Sequence, residues 1–213
     1  MKKFSLLIAM ICFSIGISFA NQFEKAMSDA IQNLNRATDL QSYLDAIATF
    51  ERIGAKESEQ WLPQYYAGLG YIWASHTTQE GQEIDELLDK AQIHIDKAKK
   101  LSPENDEILT LQGYIYMMKV VVDPATRGPQ LSGLALQTFG RAVGINNNNP
   151  RALLFLGRMQ MGTDQFFGNS ITESCGMIMK ANQMFTSEEP KSAIAPAWGK
   201  QMAEGFVSEC QVN

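Results

Sequence analysis

Residues 91–116 read AQIHIDKAKKLSPENDEILTLQGYIY, and their spacing decides the fold. Ala91, Ile95 and Ala98 fall at i, i+4 and i+7, one face of an α-helix. Counted from Ala98, Leu101, Pro103, Gly113 and Tyr116 follow at +3, +5, +15 and +18. The stretch therefore reads as one helix ending, a proline-marked corner, and a second helix beginning. Alanine and glycine at the crossing points let two antiparallel helices approach closely, and the larger apolar residues fill the seam. Serine at 102 is the expected N-cap of the second helix, with Pro103 in its first turn.

The same register extends in both directions. Toward the C-terminus, Ala135, Phe139, Ala142 and Ile145 repeat the pattern of a second helix, and Leu153, Leu156 and Gly157 that of a first. The NNNN run at 146–149 and Pro150 mark the corner between them, asparagine being tolerant of left-handed backbone and a good cap. Toward the N-terminus, Ala67, Gly68 and Tyr71 occupy first-helix positions, and glycine in mid-helix there predicts close approach of a partner. Stripes at Phe23–Leu34 and Tyr43–Ile53 form an earlier, less regular pair. The expected hairpins are about 21–54, 59–101, 103–145 and 150–185, followed by a capping helix at 195–210. Two segments predict loops. VDPATRGPQLS at 122–132 carries two prolines and a glycine, and GTDQFFGNS at 162–170 is bounded by glycines.

These marks resemble the tetratricopeptide repeat (TPR) superfamily across nearly all of residues 21–213. The run VDPATRG, NNNNPRALLFLG, FFG, APAWG and a closing cysteine also resembles an exported bacterial TPR-type family of unknown function. The resemblance implies an all-α, TPR-like α-α superhelix of about four hairpins plus the C-terminal cap. It implies a groove that grips a peptide or another protein, and no catalytic residues. The chain departs from the repeat pattern at its two insertions and at Gln160, where an aromatic residue is expected.

Lys2 and Lys3 precede an apolar run from Phe4 to Phe19, and Ser18-Phe19-Ala20 has small residues at the −3 and −1 positions of a cleavage site. Residues 1–20 are thus expected to be a cleaved Sec-type signal peptide rather than a membrane anchor, placing the mature chain in the periplasm or outside the cell. Ile11 before Cys12 argues against lipidation. Without Lys2 and Lys3 the chain holds 16 basic against 23 acidic residues, a formal charge of −7. That balance excludes an electrostatic footprint for nucleic acid, and no later stretch is long and apolar enough to cross a bilayer. Cys175 and Cys210 remain after cleavage. In an oxidising compartment they are expected to form a disulfide, the alternative being two separate buried thiols.

Candidate chemistry is sparse. His94 shares the stripe of Ala91, Ile95 and Ala98 and reads as a hydrogen-bonded core histidine. Neither it nor His76 has a neighbour at metal-ligand spacing, and the carboxylates between Glu80 and Asp89 lack the alternation and central glycine of a calcium loop. No phosphate loop or nucleophile elbow occurs, so no enzyme, metal or cofactor is expected. Groove positions counted from Gly68, Gly113 and Gly157 give Tyr65, Leu69 and Ile72, then Thr110, Tyr114 and Met117, then Leu154, Arg158 and Met161, a groove either open to a peptide or helix or filled by the chain's own C-terminal capping helix. Arg127, Phe166 and Phe167, in the two loops, are further contact candidates. The leading expectation is an exported, non-enzymatic protein that binds a protein or peptide partner. The alternative is a small-molecule or lipid carrier with a cavity under the 122–132 and 162–170 loops.

Overall fold

The structure, a computed structural model, describes residues 21–212. The expected signal peptide, with Cys12, lies outside the described residues. Within them the regular structure is all helical: α1 (21–36), α2 (Leu40–Lys56), α3 (Leu62–Ala74), a single 3-10 turn at Ser75–Thr77, α4 (Gly81–Leu101), α5 (Asp106–Val122), α6 (Pro124–Ile145), α7 (Pro150–Phe167), α8 (Thr172–Thr186) and α9 (Lys200–Val212). From α2 onward each helix packs on the next, and α5 also touches α3 and α7. The α3–α5 and α5–α7 contacts place these three helices in one layer.

The small residues sit at the crossings. A Cβ on Gly68 would lie 2.7 Å from Ile95 Cδ1, and one on Gly113 would lie 2.6 Å from the Phe139 ring. At Gly157 the facing atoms are Ile178 Cγ1, Met177 Cβ and the Ser174 carbonyl, each 3.0 Å away. The core runs through these seams, with Phe50, Tyr65, Leu69, Ile95, Phe139 and Phe155 all fully buried.

Caps explain where the helices start. Asp39 opens α2 in a reciprocal box, its carboxylate accepting from the Ser42 amide at 2.8 Å while Ser42 Oγ accepts from the Asp39 amide at 3.2 Å. Asn149 accepts from the Ala152 amide at 3.1 Å and Pro150 follows as the first residue of α7. The corner at 102–105 differs from expectation. Asn105, rather than Ser102, caps α5, accepting from Glu107 and Ile108 amides at 3.0 and 3.3 Å. The asparagines at 146–149 act through side chains, Asn146 and Asn149 both donating to Asp106, and no non-glycine residue among those described has a positive φ.

Both expected loops are largely helix. The 122–132 segment forms the first turns of α6: Asp123 caps the Thr126 amide at 3.1 Å, and Pro124 takes the first position, where its missing N–H has no partner to lose. Pro129, one turn further in, forfeits a single backbone hydrogen bond, and the helix continues through it. Arg127 braces this turn with a two-pronged ion pair to Asp85 of α4, both contacts at 2.6 Å, and reaches the Lys119 carbonyl at 3.4 Å. Likewise Gly162 does not end α7. The helix runs to Phe167 and stops at Gly168, whose φ of 70° is the left-handed C-cap that glycine adopts without strain.

After α8 the chain runs without regular structure and then turns into α9, which begins at Lys200 rather than near 195. Gly199 makes that entry at φ 106°, with Phe185 Cζ only 2.9 Å from where a Cβ would stand. Cys175 of α8 and Cys210 of α9 are joined, their Cα atoms 5.7 Å apart, so α9 is tied back onto the last hairpin.

Candidate ligand cleft

The first-helix groove is filled by the chain itself. Trp198 inserts among α3, α5 and α7, its Nε1–H donating to Tyr65 Oη at 2.7 Å and its ring lying 5.8 Å from Phe155 and 6.4 Å from Tyr114. Tyr66 Oη donates to the Ile194 carbonyl at 3.1 Å, fixing the segment a turn earlier. Beneath this plug lies a buried charge cluster. Arg151, 3% exposed, holds Glu107 and Glu188 and donates to the Trp198 carbonyl at 3.2 Å. Tyr65 Oη donates to Glu107 at 2.9 Å and Asn149 to the same carboxylate at 3.0 Å. Burial pushes the Glu107 carboxyl up, with the Arg151 guanidinium pulling against it. Burial disfavours the charge of Arg151 as well, but Glu107 and Glu188 outweigh it and Arg151 stays protonated.

Beside the plug, α5, α6, α7 and α9 enclose a cleft of about 1010 Å³. Its existence follows from the sequence of α6. Pro124, Ala125, Gly128, Pro129, Ser132 and Gly133 recur at alternating steps of one and three residues, which places them on one face of the helix, and all are small. A Cβ on Gly133, or on Gly162 across the cleft, would meet nothing within 4 Å. The facing wall is bulky and apolar. It comprises Met117, Met118 and Val121 of α5, Phe155, Met159 and Phe166 of α7, and Met202 and Phe206 of α9. At one side His76 Nε2 shares a hydrogen bond with the buried Tyr114 hydroxyl at 3.0 Å, and burial pushes that phenol far up, so it remains neutral.

The residues singled out from sequence separate into three groups. Tyr114, Met117, Arg158, Phe166 and Phe167 all line the cleft, the last two 75% and 70% exposed with their rings edge to face at 5.1 Å. Tyr65 and Leu69 do not face an open groove: both are fully buried, Tyr65 under Trp198, as are Ile72, Thr110, Leu154 and Met161. Arg127 stands apart in its pair with Asp85. His94 is buried between Gln64, 2.9 Å from Nδ1, and Glu51, 3.2 Å from Nε2. The sequence does not single out Arg151, Glu107 or Trp198; it places a cavity at 122–132, but not the helix face that lines it. The step of four in Pro124, Gly128, Ser132 and Leu136 was the signal available for that face. Among the described residues no cluster of three His, Cys, Asp or Glu side chains is arranged to hold a metal ion, and no helix is long and apolar enough to cross a membrane.

No protein-family model matches the chain, and no curated protein matches it. Among solved structures, the HusA haemophore from Porphyromonas gingivalis is similar to it, with a TM-score of 0.79 and 23% sequence identity over 89% of this chain and 93% of that one. The likeness shows the all-helical fold over almost the full length of both proteins.

Proposed function

We propose that this protein is an exported, non-enzymatic carrier that holds a large apolar ligand of porphyrin size in the α5–α6–α7–α9 cleft. One observation carries the reading: a helix face of prolines, glycines, alanine and serine is set against methionine and phenylalanine walls, leaving about 1010 Å³ of open space. That volume is at the upper end of the range of roughly 300–1,000 Å³ for small-molecule sites, and a mostly apolar lining with a few polar groups is their usual composition. The phenylalanines offer flat faces for an aromatic macrocycle. The methionines adapt their shape to it, and their thioethers and the His76 imidazole are the lining groups that would offer donors to a metal carried by such a ligand. The structural neighbour is described as a haemophore, which makes haem the first ligand to try. Export fits the Cys175–Cys210 bridge, since disulfides persist in oxidising compartments. Capture of a peptide in the first-helix groove has less support, because Trp198 already occupies it.

Titrating the protein with haem and with iron-free protoporphyrin IX, read by porphyrin absorbance and by tryptophan quenching, tests this. Saturable one-to-one binding is expected. A Gly133→Leu/Gly162→Leu double variant should bind at least roughly tenfold more weakly, with unchanged helical circular dichroism, because both new side chains project into open space. Failure of both porphyrins to bind saturably, or full binding by the double variant, would overturn the reading.

A further inference from the structure

Among the described residues that line the cleft, Arg158 is the one with a permanent charge, and none is a carboxylate. Its guanidinium lies over the Phe206 ring, 5.2 Å from the centroid, which braces it against the α9 wall. It forms an ion pair with the half-exposed Glu209 carboxylate of α9, 3.6 Å from Nη2, and a ligand carboxylate would share or displace that pair. Arg158 is about 30% exposed, so it is neither sealed in the core nor free in bulk solvent. A guanidinium presents five N–H donors in a planar fork that matches a carboxylate, and such a pair is shorter and stronger than a neutral hydrogen bond. In a cleft walled by methionine and phenylalanine the attraction is less screened than on an open surface.

We propose that Arg158 is the anion anchor of the cleft, so that the protein selects apolar ligands bearing a carboxylate over neutral ligands of the same shape. This rests on the carrier reading and adds the chemical class of the cargo: an amphipathic acid, its hydrocarbon or aromatic body against the methionine wall and its carboxylate on Arg158. Residue 158 is then a specificity determinant, and its loss costs recognition of the acid rather than of the apolar body.

The test compares iron-free protoporphyrin IX, a dicarboxylic acid, with its dimethyl ester, in the wild-type protein and in Arg158→Gln and Arg158→Lys. The wild type should favour the diacid by roughly tenfold or more, the worth of one charge-assisted pair. Arg158→Gln should lose that preference by weakening the diacid alone, and Arg158→Lys should regain part of it. Equal binding of acid and ester by the wild type, or equal weakening of both in Arg158→Gln, would overturn the anchor while leaving the carrier reading intact. Binding of neither form by the wild type would overturn the carrier reading and the anchor together.

Discussion

At the scale of single residues, the seam glycines and the surface glycines of this chain do opposite things. Gly113 faces the fully buried Phe139 ring across the α5–α6 crossing, with no flexible tip to move aside. Gly140, on α6, has nothing within 4 Å of its missing Cβ. Alanine at either position gains helix propensity, up to about 1 kcal/mol. At 113 that gain is outweighed by overpacking, which costs about 1–3 kcal/mol. Gly113→Ala should therefore lower stability to denaturant by up to about 2 kcal/mol and Gly140→Ala should raise it by about 0.5–1 kcal/mol. A stabilised Gly113→Ala would mean that the helices are not in close contact there.

At the scale of elements, the segment from α8 to α9 owes its position to Arg151. It joins Glu107 at the start of α5, Glu188 just after α8 and the Trp198 carbonyl, all largely out of water. Arg151→Met leaves Glu107 buried without its counter-charge, and breaking such a pair costs about 3–5 kcal/mol. The loss should depend on pH in a stated direction. Burial already raises the Glu107 carboxyl, and without Arg151 nothing comparable opposes it. The folded variant then takes up its proton at higher pH than the unfolded chain, which titrates near 4.3. Stability contributed by the protonated form is complete below that value and disappears as pH rises through the folded pKa. Arg151→Met should accordingly be less destabilised at pH 4.5 than at pH 7 in denaturant unfolding; an equal loss at both would mean that Glu107 is not the stranded charge. Nothing in the sequence announced this cluster. Its members are 37 to 47 residues from Arg151 along the chain, and a buried ion pair has no periodicity. The seams were readable because Gly68, Gly113 and Gly157 recur in register with their alanine and aromatic partners. The cleft was half-readable. The two segments that border it stand out in the sequence, but proline there reads as a break, whereas Pro124 starts the helix and Pro129 costs it only one bond.

On the whole-molecule scale, the plug and the cleft depend on the same closure. Trp198 fills the groove of the first helices, α9 follows directly, and α9 supplies Met202 and Phe206 to the cleft and Glu209 beside Arg158. The covalent tie on this arrangement among the described residues is Cys175–Cys210, which closes a loop across 35 residues at the far end of α9. In the chain-entropy description a loop of that size stabilises the fold by about 3–4 kcal/mol. A Cys175→Ser/Cys210→Ser variant should lose stability of that order, a fall of roughly 6–16 °C in melting temperature at 2–4 °C per kcal/mol. It should also lose ligand affinity, because the unfastened α9 opens one wall of the cleft while α5, α6 and α7 remain packed. Hydrogen exchange locates the change: amides of α9 should exchange faster in the variant, those of α5 and α7 should not, and a saturating ligand should restore part of the protection of α9. Uniform loss of protection through all the helices would show instead that the bridge holds the entire array together rather than fastening one wall of the site.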